Sequence, residues 1–396
     1  MSHAFYANST FGLGEQQREV LAQADRFARA ELYPLLKKMD DEEWWPPELF
    51  PLLGRHGYVG VTVPEVYGGS GLDFFSQGLV TQAFSRWNAG AAMSIFAHDN
   101  LCTNNLLRSG SATLKQHYLP GLANGSLVGA MALTEPGAGS DALGSMRTTA
   151  RRDGDFYLLN GNKMFITNGP IADVVLVYAK TAPERGTKGI SAFMVEKNFP
   201  GFAVAQKLEK MGLRGSPTGE LVFTDCRVPV ANLVGDENTG VAVTMSGLDL
   251  ERVIVAFSAL GTAERCLELA IDYAGQRKQF NQPIGEFQMV QKMIADMYAA
   301  IEGLRCFVYQ LAAEVNALEC GAGGRGEVHR RTAALLLIAG QTVTMCADSS
   351  MQIHGGTGFM WETEINRIYR GSKLCEIGAG TNEIRRIIIA RDLLAP

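Results

Sequence analysis

The segment FYLLNGNKMFIT at 156–167 decides the fold class, because it places β-forming residues in the middle of a chain that is helical on both sides. Runs rich in valine, isoleucine and aromatic residues are typical of strands. Three more such runs follow, VVLVY at 174–178, ISAFMV at 190–195 and LVF at 221–223. Between FYLL and MFIT, Asn160-Gly161 predicts a hairpin, since a type I′ turn needs positive φ at both central residues.

Helical patterns surround this sheet segment. Apolar residues between Leu13 and Leu36 recur at three- to four-residue spacing, the period of an amphipathic helix. The pattern continues to about residue 125, interrupted by the prolines of WWPPELF at 44–50 and the glycines of VYGGSGL at 66–72. It returns after Gly240, in the stretches 241–274, 284–319, 327–350 and 380–394. We predict an α+β protein with an N-terminal helical domain (1–125), a barrel-like middle β-sheet domain (126–236) and a C-terminal helical bundle (237–396).

Composition excludes several classes of function. With 396 residues and 46% hydrophobic content, the chain can bury the cores of two or three domains. Its 36 lysines and arginines stand against 41 acidic residues, and no basic stripe suited to nucleic acid is present. No apolar run approaches the roughly 20 residues that span a bilayer. We therefore expect neither nucleic acid nor a membrane as a partner.

Metal and targeting signals are also missing from the sequence. The seven cysteines are scattered without a CxxC pair, and the six histidines form no HExxH motif. This pattern predicts reduced thiols and no metal site. The N-terminal MSHAFYANST has neither the pattern of a signal peptide nor that of an arginine-rich transit peptide, so a cytoplasmic location is expected.

Several motifs in a fixed order resemble one family. ALTEPGAGSD at 132–141 and NGNKMFITNG at 160–169 are similar to the two flavin-binding segments of the acyl-CoA dehydrogenases. Later motifs follow in that family's order, RKQFNQPIGEFQ at 277–288, MQIHGGTGF at 351–359 and EIGAGTNEIRR at 376–386. AHDNLC at 97–102 and MSGLDLER at 245–252 most resemble the isovaleryl-CoA dehydrogenase branch. The resemblance implies an acyl-CoA substrate, one FAD per subunit of a homotetramer (a dimer of dimers), and electron-transfer flavoprotein as electron acceptor.

By this resemblance, the two early motifs hold the flavin. Thr134 would contact its pyrimidine edge, Ser140 the pyrophosphate, and Thr167 the N5 atom that accepts hydride. Phe165 stands where the family usually has tryptophan; it can stack on the ring but lacks the indole N–H. The full set assigned to FAD comprises Met131, Leu133, Thr134, Gly139, Ser140, Phe165, Ile166, Thr167, Arg277, Phe280, Gln288, Gln352, Gly355, Gly356, Thr381 and Glu383.

Part of this set would serve a neighbouring subunit. Arg277, Gln288, Gln352 and Gly356 match positions that bind the adenosine diphosphate of the adjacent subunit's FAD. Arginine suits a pyrophosphate because its planar fork makes paired charge-assisted bonds. Taken alone, Arg277 and Gln288 would be interpreted as solvated surface groups, and the glycine loop at 137–139 as an ordinary turn.

The reaction requires a carboxylate beside the substrate's α carbon while hydride leaves the β carbon. Many family members carry this glutamate just before the Gly-Thr of the late loop, where this chain has Ala379. In the isovaleryl branch it comes instead from the helix with LDLER, which matches Glu251. Leu248 and Val255 share a helical face with Glu251, so partial burial and a raised pKa are expected.

The sequence allows other roles for Glu251 and offers two other candidate carboxylates. On its own, Glu251 would be taken as the ion-pair partner of a nearby arginine. Glu376 and Glu383 flank the late loop and are rival bases, although neither matches a base position of the family. The loss of the usual base at residue 379 favours Glu251 as the catalytic residue.

The resemblance also assigns residues to the thioester. The backbone N–H of Ala379 and an FAD ribityl hydroxyl would stabilise charge on the thioester oxygen. Asp249 and Arg252 match residues that hold CoA, and Gly378 replaces a bulky aromatic side chain, which predicts room for a branched acyl group. The set assigned to the substrate comprises Ser140, Asp249, Arg252, Ile95, Phe96, Cys375, Gly378 and Gly380.

Isovaleryl-CoA is the first expected substrate, with a role in branched-chain amino acid or fatty acid catabolism. Three pocket residues nevertheless depart from that branch, which tends to have Tyr, Gly and Tyr where this chain has Ile95, Phe96 and Cys375. Each such exchange can be worth about 1–3 kcal/mol in discrimination. Two alternatives therefore stay open: a dehydrogenase of acyl or aminoacyl groups on a carrier protein, and a noncatalytic flavoprotein subunit.

Overall fold

Helices make up the first part of the chain. The computed structural model describes residues 12–316 and 326–395; predictions about the N-terminal segment, the helix end at 317–319 and Cys320 lie outside these residues. The first helices are α1 (Glu15–Phe27), α2 (Leu36–Asp41), α3 (Leu49–Arg55), α4 (Phe74–Phe96), α5 (Asn104–Ser109) and α6 (Ala112–Ala123). Two π-helical segments (Ala28–Leu32 and Ala97–Thr103) and two 3-10 turns (Tyr33–Leu35 and Glu65–Tyr67) join them.

Helix α4 runs from the N-terminal core towards the centre of the molecule. Its Asp73 N-cap accepts a hydrogen bond from the backbone N–H of Ser76 at 2.7 Å. Asn88 interrupts the helical backbone with φ −155° and ψ 85°, and its side-chain amide bonds the carbonyl of Leu32. The helix resumes after this kink, so Ile95 and Phe96 lie at its carboxyl end.

The middle of the chain forms one mixed sheet. Its strands are β1 (Gly129–Ala132), β2 (Thr149–Asp153), β3 (Phe156–Thr167), β4 (Val174–Lys180), β5 (Ile190–Glu196), β6 (Phe202–Lys207), β7 (Thr218–Pro229) and β8 (Leu233–Val234). The order is β6-β7-β3-β2-β4-β5-β8, with β1 parallel to β4. Side chains from β1 to β5 and β7 enclose one apolar core. Two 3-10 turns connect strands, Pro183–Gly189 and Val230–Asn232, and Val230 packs against this core.

The hairpin predicted at Asn160-Gly161 is wrong, because β3 runs straight through both residues. The chain turns earlier, between Asp153 and Phe156, which are paired across β2 and β3. Gly161 has φ +146° at an irregularity in the pairing with β7. A Cβ there would lie 2.5 Å from Oγ1 of Thr148, so glycine serves a close backbone crossing rather than a turn.

The last part of the chain is again helical. It contains α7 (Gly240–Gln276), α8 (Gln288–Asn316), α9 (Gly326–His354), α10 (Gly356–Phe359), α11 (Glu364–Ser372), α12 (Leu374–Ile377) and α13 (Asn382–Leu393). The short strands β9 (Lys278–Gln279) and β10 (Gln282–Pro283) and a 3-10 turn (Ile284–Glu286) lie between α7 and α8. Helices α7, α8 and α9 pack around the largest apolar core. The predicted order of helices, sheet and helices is confirmed. No helix among the described residues is long and apolar enough to cross a membrane.

Candidate active site

Glu251 holds its carboxylate out of water on α7. Its side chain is only 7% exposed, and its Oε1 accepts a hydrogen bond from Nδ2 of Asn105 at 3.3 Å. Burial raises the pKa of Glu251 to about 7, against the opposing charge of Arg108. The raised pKa is confirmed, and the burial is more complete than the partial burial expected. A carboxyl group with this pKa is partly ionised at neutral pH, which suits a general base.

The cation that faces Glu251 is Arg108, which sequence reasoning missed together with Asn105. A Cβ built on Gly247 would lie 2.0 Å from Nη2 of Arg108 and 3.1 Å from Oε1 of Glu251, so both groups lie over this glycine. Arg108 also donates to Oδ1 of Asn105 at 3.0 Å and to Oγ of Ser246 at 3.3 Å. The only signal in the sequence was the three-residue spacing of Asn105 and Arg108 on a helix.

The neighbouring Arg252 binds Asp249 rather than Glu251, with Nη1 and Oδ1 3.2 Å apart. The same oxygen of Asp249 accepts a hydrogen bond from Oγ1 of Thr332 at 2.8 Å, and Nδ1 of His329 lies 2.9 Å away. Asp249 and Arg252 are both buried. The structure therefore places these two predicted CoA-binding residues in the contact between α7 and α9, and their role towards CoA stays a prediction.

Helix α9 aligns the base helix with the late loop. Thr332, Leu336 and Gly340 recur every four residues and so share one face of α9. Thr332 bonds Asp249, and Leu336 packs against Ile254 and Val255, one helical turn after Glu251. Gly340 lies where a Cβ would come within 2.8 Å of the carbonyl oxygen of Cys375.

The late loop, residues 378–381 between α12 and α13, has an unusual backbone. Ala379 has φ +54°, and Gly380 follows with φ +88°. Positive φ in a residue with a Cβ costs free energy and is found most often at functional sites. Thr381 then caps α13 by accepting a hydrogen bond from the N–H of Ile384 at 3.4 Å. Ala379 is exposed, and its N–H has no acceptor among the described residues.

Ile95 and Phe96, two adjacent residues predicted for the acyl pocket, pack in different parts of the structure. Phe96 packs with Ile254, Val255 and Leu336 in a small apolar cluster beside the base. Ile95 packs instead into the core of the N-terminal helices. Cys375, another residue predicted for the acyl pocket, is among the residues that line a cavity of about 50 Å³.

A buried ion pair pins the loop after β1 against β3. Nζ of Lys163 lies 3.0 Å from Oε1 of Glu135 and 3.0 Å from the carbonyl oxygen of Leu133. Burial raises the pKa of Glu135, but the charge of Lys163 and the hydrogen bonds from Thr148 and Arg147 together outweigh it, and the net shift is downward. The carboxylate also accepts the N–H groups of Arg147 and Thr148. The carbonyl of Thr134 accepts the N–H of Met164, which brings this loop to the end of β3.

Three family models match consecutive parts of the chain. They describe the acyl-CoA dehydrogenase N-terminal domain (residues 14–126), middle domain (130–226) and C-terminal domain (238–394). The chain belongs to the acyl-CoA dehydrogenase family. It is therefore an FAD-dependent oxidoreductase.

Individual relatives are similar over nearly their full length. Mitochondrial isovaleryl-CoA dehydrogenase of Oryza sativa subsp. japonica is 43% identical, covering 96% of this chain and 91% of the relative. A chain from a structure of the electron transferring flavoprotein of Acidaminococcus fermentans has a TM-score of 0.93 and 38% identity, covering 98% of this chain and 100% of that one. PigA with FAD and proline has a TM-score of 0.91 and 32% identity, covering 97% and 98%.

The residues at the end of β3 fit the flavin of an acyl-CoA dehydrogenase. Phe165 has φ +62° and is 66% exposed, so its ring offers a flat apolar surface on which a flavin can stack. Thr167, two residues later, is half-buried, whereas the side chain of Ile166 points into the sheet core. Gly139 has open space where a Cβ would lie, and Ser140 beside it is exposed. This loop can approach phosphate closely.

Six further predicted FAD residues form a second exposed group. The end of α7, the start of α8 and the end of α9 meet there: Tyr273 bonds Thr357 at 3.2 Å and stacks on His354 with ring centroids 4.3 Å apart. The exposed residues of this group are Arg277, Phe280, Gln288, Gln352, Gly355 and Gly356. None of the hydrogen bonds or ring contacts of residues 12–316 and 326–395 joins this group to the loop at 132–141. The role of this group towards the FAD of a neighbouring subunit stays a prediction.

The rival carboxylates have surface partners. Glu376 is paired with Lys373 three residues earlier on the chain. Glu383 is exposed, lies 3.8 Å from Arg386, and has a lowered pKa because its own backbone N–H and Thr381 donate to it. Neither environment resembles the desolvated site of Glu251. Among residues 12–316 and 326–395, no group of three or more His, Cys, Asp or Glu side chains could hold a metal ion.

The raised pKa of Glu251 predicts a pH-dependent cost to folding. Because the folded-state pKa of about 7 lies above the ordinary 4.5, this carboxyl lowers stability as pH rises through that interval, and the cost is complete above pH 7. Glu251→Gln should therefore be more stable than the parent by on the order of 2 kcal/mol at pH 8, and no more stable near pH 4.5. Denaturant unfolding at matched FAD content measures this difference. Glu383→Gln is the exposed control, and an equal effect of Glu251→Gln at both pH values would contradict the burial argument.

Proposed function

We propose that this acyl-CoA dehydrogenase acts on short branched acyl-CoA thioesters, isovaleryl-CoA first, with Glu251 as the base that removes the α proton. The observation that carries the proposal is the buried carboxylate of Glu251, whose pKa is raised to about 7 beside a small apolar cluster. FAD, when bound, accepts the β hydride. The similarity to isovaleryl-CoA dehydrogenases supports the same substrate class.

The surroundings of Glu251 suit proton transfer from carbon. Asn105 donates to one oxygen and so orients the carboxylate, while burial keeps it basic enough to accept an α proton. Arg108 provides the opposing charge, which keeps part of the Glu251 population ionised at neutral pH. Ile254 and Val255, one turn further along α7, exclude water from this face.

The acidity of the α carbon depends on the thioester oxygen. We assign the N–H of Ala379 as a donor to this oxygen, because Ala379 is exposed and its N–H has no acceptor of its own among the described residues. A preorganised donor of this kind stabilises the negative charge that develops as the proton leaves. The side chain of Ala379 leaves this position without a carboxylate, so the proton must pass to another segment.

Substitution of the base gives a direct test. Glu251→Gln should bind FAD and acyl-CoA but reduce its flavin at least about a thousandfold more slowly, since an amide cannot accept the α proton. Anaerobic stopped-flow bleaching of the flavin by isovaleryl-CoA measures the rate. Glu184→Gln, at an exposed glutamate in the 3-10 turn Pro183–Gly189 and outside the assigned site, is the matched control and should retain the parental rate. Near-normal bleaching by Glu251→Gln would eliminate this residue as the base.

The same experiment can test whether positions 251 and 379 face one carbon atom. Ala379→Glu in the Glu251→Gln background should restore roughly one hundredth of the lost rate, because a displaced base still works but with poorer alignment. Position 379 already has φ +54°, so the exchange adds no new backbone conformation. A double variant without activity would weaken only this geometric claim.

Phe96 should limit the length of the acyl group. It packs beside Val255 and Leu336 next to the base, whereas its neighbour Ile95 faces the N-terminal core. Phe96→Ala is expected to raise the ratio of octanoyl-CoA to isovaleryl-CoA reduction rates about tenfold, and Ile95→Ala should leave that ratio unchanged. Flavin bleaching over a panel of acyl-CoAs measures both. A parental preference for octanoyl-CoA would contradict the proposal of a short branched substrate.

The carrier-protein alternative is favoured by the structural similarity to the prolyl acyl carrier protein oxidase AnaB, which has a TM-score of 0.90 and 32% identity over 96% of this chain and 100% of that one. The panel separates the two functions if it includes the same acyl or prolyl group on CoA and on a carrier protein. Reduction by the carrier thioester alone would replace the CoA proposal. No reduction by any thioester would leave the noncatalytic alternative.

We also propose a homotetramer in which each FAD contacts two subunits. Large apolar side chains are exposed near Arg277 and Gln352: Phe280 (89%), Phe359 (76%) and Met289 (73%). Burial of such a surface favours self-association. The structural likeness to a chain from an electron transferring flavoprotein structure supports a flavoprotein of that kind as electron acceptor.

The shared site predicts coupled loss of cofactor and activity. The protein should be yellow, with a particle mass near four times the 42.9 kDa chain. Arg277→Ala should weaken FAD binding about tenfold, since a charge-assisted contact to phosphate is lost. Exposed Arg151, on β2, provides the control substitution Arg151→Ala. Light scattering and flavin absorbance give the two quantities, and a colourless monomer with full activity would contradict this assembly.

A further inference from the structure

Arg385 is a fully buried cation behind the late loop. It lies on α13, four residues after the Thr381 cap, and its side chain is 0% exposed. Its partners among the described residues are carbonyl and amide oxygens, and none is a carboxylate. Burying an arginine without a carboxylate is costly, so its bonds to this loop must repay a large desolvation penalty.

The guanidinium forms hydrogen bonds to groups that come before and after Ala379 in the chain. Nη1 donates to the carbonyl of Cys375 at 2.9 Å and to Oδ1 of Asn382 at 2.7 Å, with a longer contact of 3.3 Å to the carbonyl of Leu336. Nη2 donates to the carbonyl of Gly378 at 2.7 Å. One side chain thus ties the loop to α9 and to the first turn of α13.

The bond to Gly378 reaches the reacting centre through a single peptide group. The carbonyl of Gly378 and the N–H of Ala379 belong to the same planar trans unit, so they point in opposite directions. We propose that Arg385 is a positioning residue that orients and polarises this peptide, so that the N–H of Ala379 becomes a stronger donor to the thioester oxygen. The proposal rests on the proposed function, which assigns that N–H to the thioester.

Both orientation and charge contribute to this effect. A guanidinium bond to the carbonyl draws electron density from the peptide, and chains of hydrogen bonds strengthen one another in a buried setting. Burial lowers the pKa of Arg385 to about 10, so the group stays a cation at neutral pH. The positive φ of Ala379 is also held in place, because the carbonyls before it and α13 after it are tied to one side chain.

The experiment uses the FAD-loaded protein in the Glu251→Gln background, where a bound thioester is not consumed. Isovaleryl-CoA labelled with ¹³C at its thioester carbonyl is bound, and difference infrared spectroscopy records the stretching frequency of that carbonyl. Arg385→Met removes the charge, Arg385→Lys keeps the charge but not the fork, and Arg386→Met is the control one residue away. Arg386 is a half-exposed arginine whose guanidinium lies 3.8 Å from Glu383.

The Glu251→Gln protein and its Arg386→Met variant should show the same carbonyl frequency, lowered relative to that of the free thioester. Arg385→Met should move it back towards that of the free thioester, and Arg385→Lys should lie between. With Glu251 intact, Arg385→Met should lower kcat about ten- to hundredfold while KM changes much less, since the contact is strongest in the transition state. If Arg385→Met does not fold, the frequency of Arg385→Lys decides.

An unchanged carbonyl frequency in the Arg385 variants that fold would overturn the proposal and leave Arg385 a structural residue. This outcome is distinct from failure of the proposed function. If the parent binds no acyl-CoA, or binds it with the carbonyl at the frequency of free thioester, then the assignment of Ala379 itself is wrong.

Discussion

The packing of α9 against α7 sets the geometry of the whole active site. Thr332 bonds Asp249, Leu336 packs against Ile254 and Val255, and the carbonyl of Leu336 also receives a bond from Arg385. Because these contacts recur at one-turn intervals, a rotation of either helix would separate Glu251 from the late loop. The site is therefore as rigid as the core of the C-terminal bundle.

The buried charges of α7 differ in how they are compensated. Glu264 accepts bonds from Arg305 and Gln82, both at 2.7 Å, and helps hold three helices together. Glu251 receives an amide donor and the charge of Arg108, which does not offset the cost of burial. Burial also raises the pKa of Glu264, and it raises that of Asp99 to about 7, so Glu251 is distinguished by its place beside the apolar cluster of Phe96, Ile254, Val255 and Leu336 rather than by its pKa alone.

The middle domain positions side chains at the candidate site rather than supplying a reactive group. Strand β3 continues through Asn160 and Gly161, so that Phe165 and Thr167 stand at its far end beside the loop after β1. Lys163 and Glu135 lock this loop from within. A hairpin at Asn160-Gly161 would have placed the two residues predicted to face the flavin elsewhere. The pairing of β3 with β7, which supplies hydrogen bonds on both sides of the irregularity, outweighs the local turn propensity of Asn160-Gly161.

Much of the fold could be predicted from the sequence, because periodicity and β-branched runs report which faces of each segment avoid water. The order of helices, sheet and helices and the raised pKa of Glu251 were predictable for this reason. The chemical groups at position 379 could also be inferred from the sequence, because an alanine there removes one carboxylate and keeps the backbone N–H.

Contacts between distant segments were beyond the sequence. Asn105 and Arg108 face Glu251 only because α5 docks against α7, and Ile95 and Phe96 diverge because a helix points adjacent residues to different sides. Arg385 carries no sign in sequence that its guanidinium would bond the carbonyl of Gly378. The sequence by itself determined the order of the elements and the chemical groups available. Tertiary structure alone decided which of those groups are desolvated together, since desolvation depends on what packs across the chain.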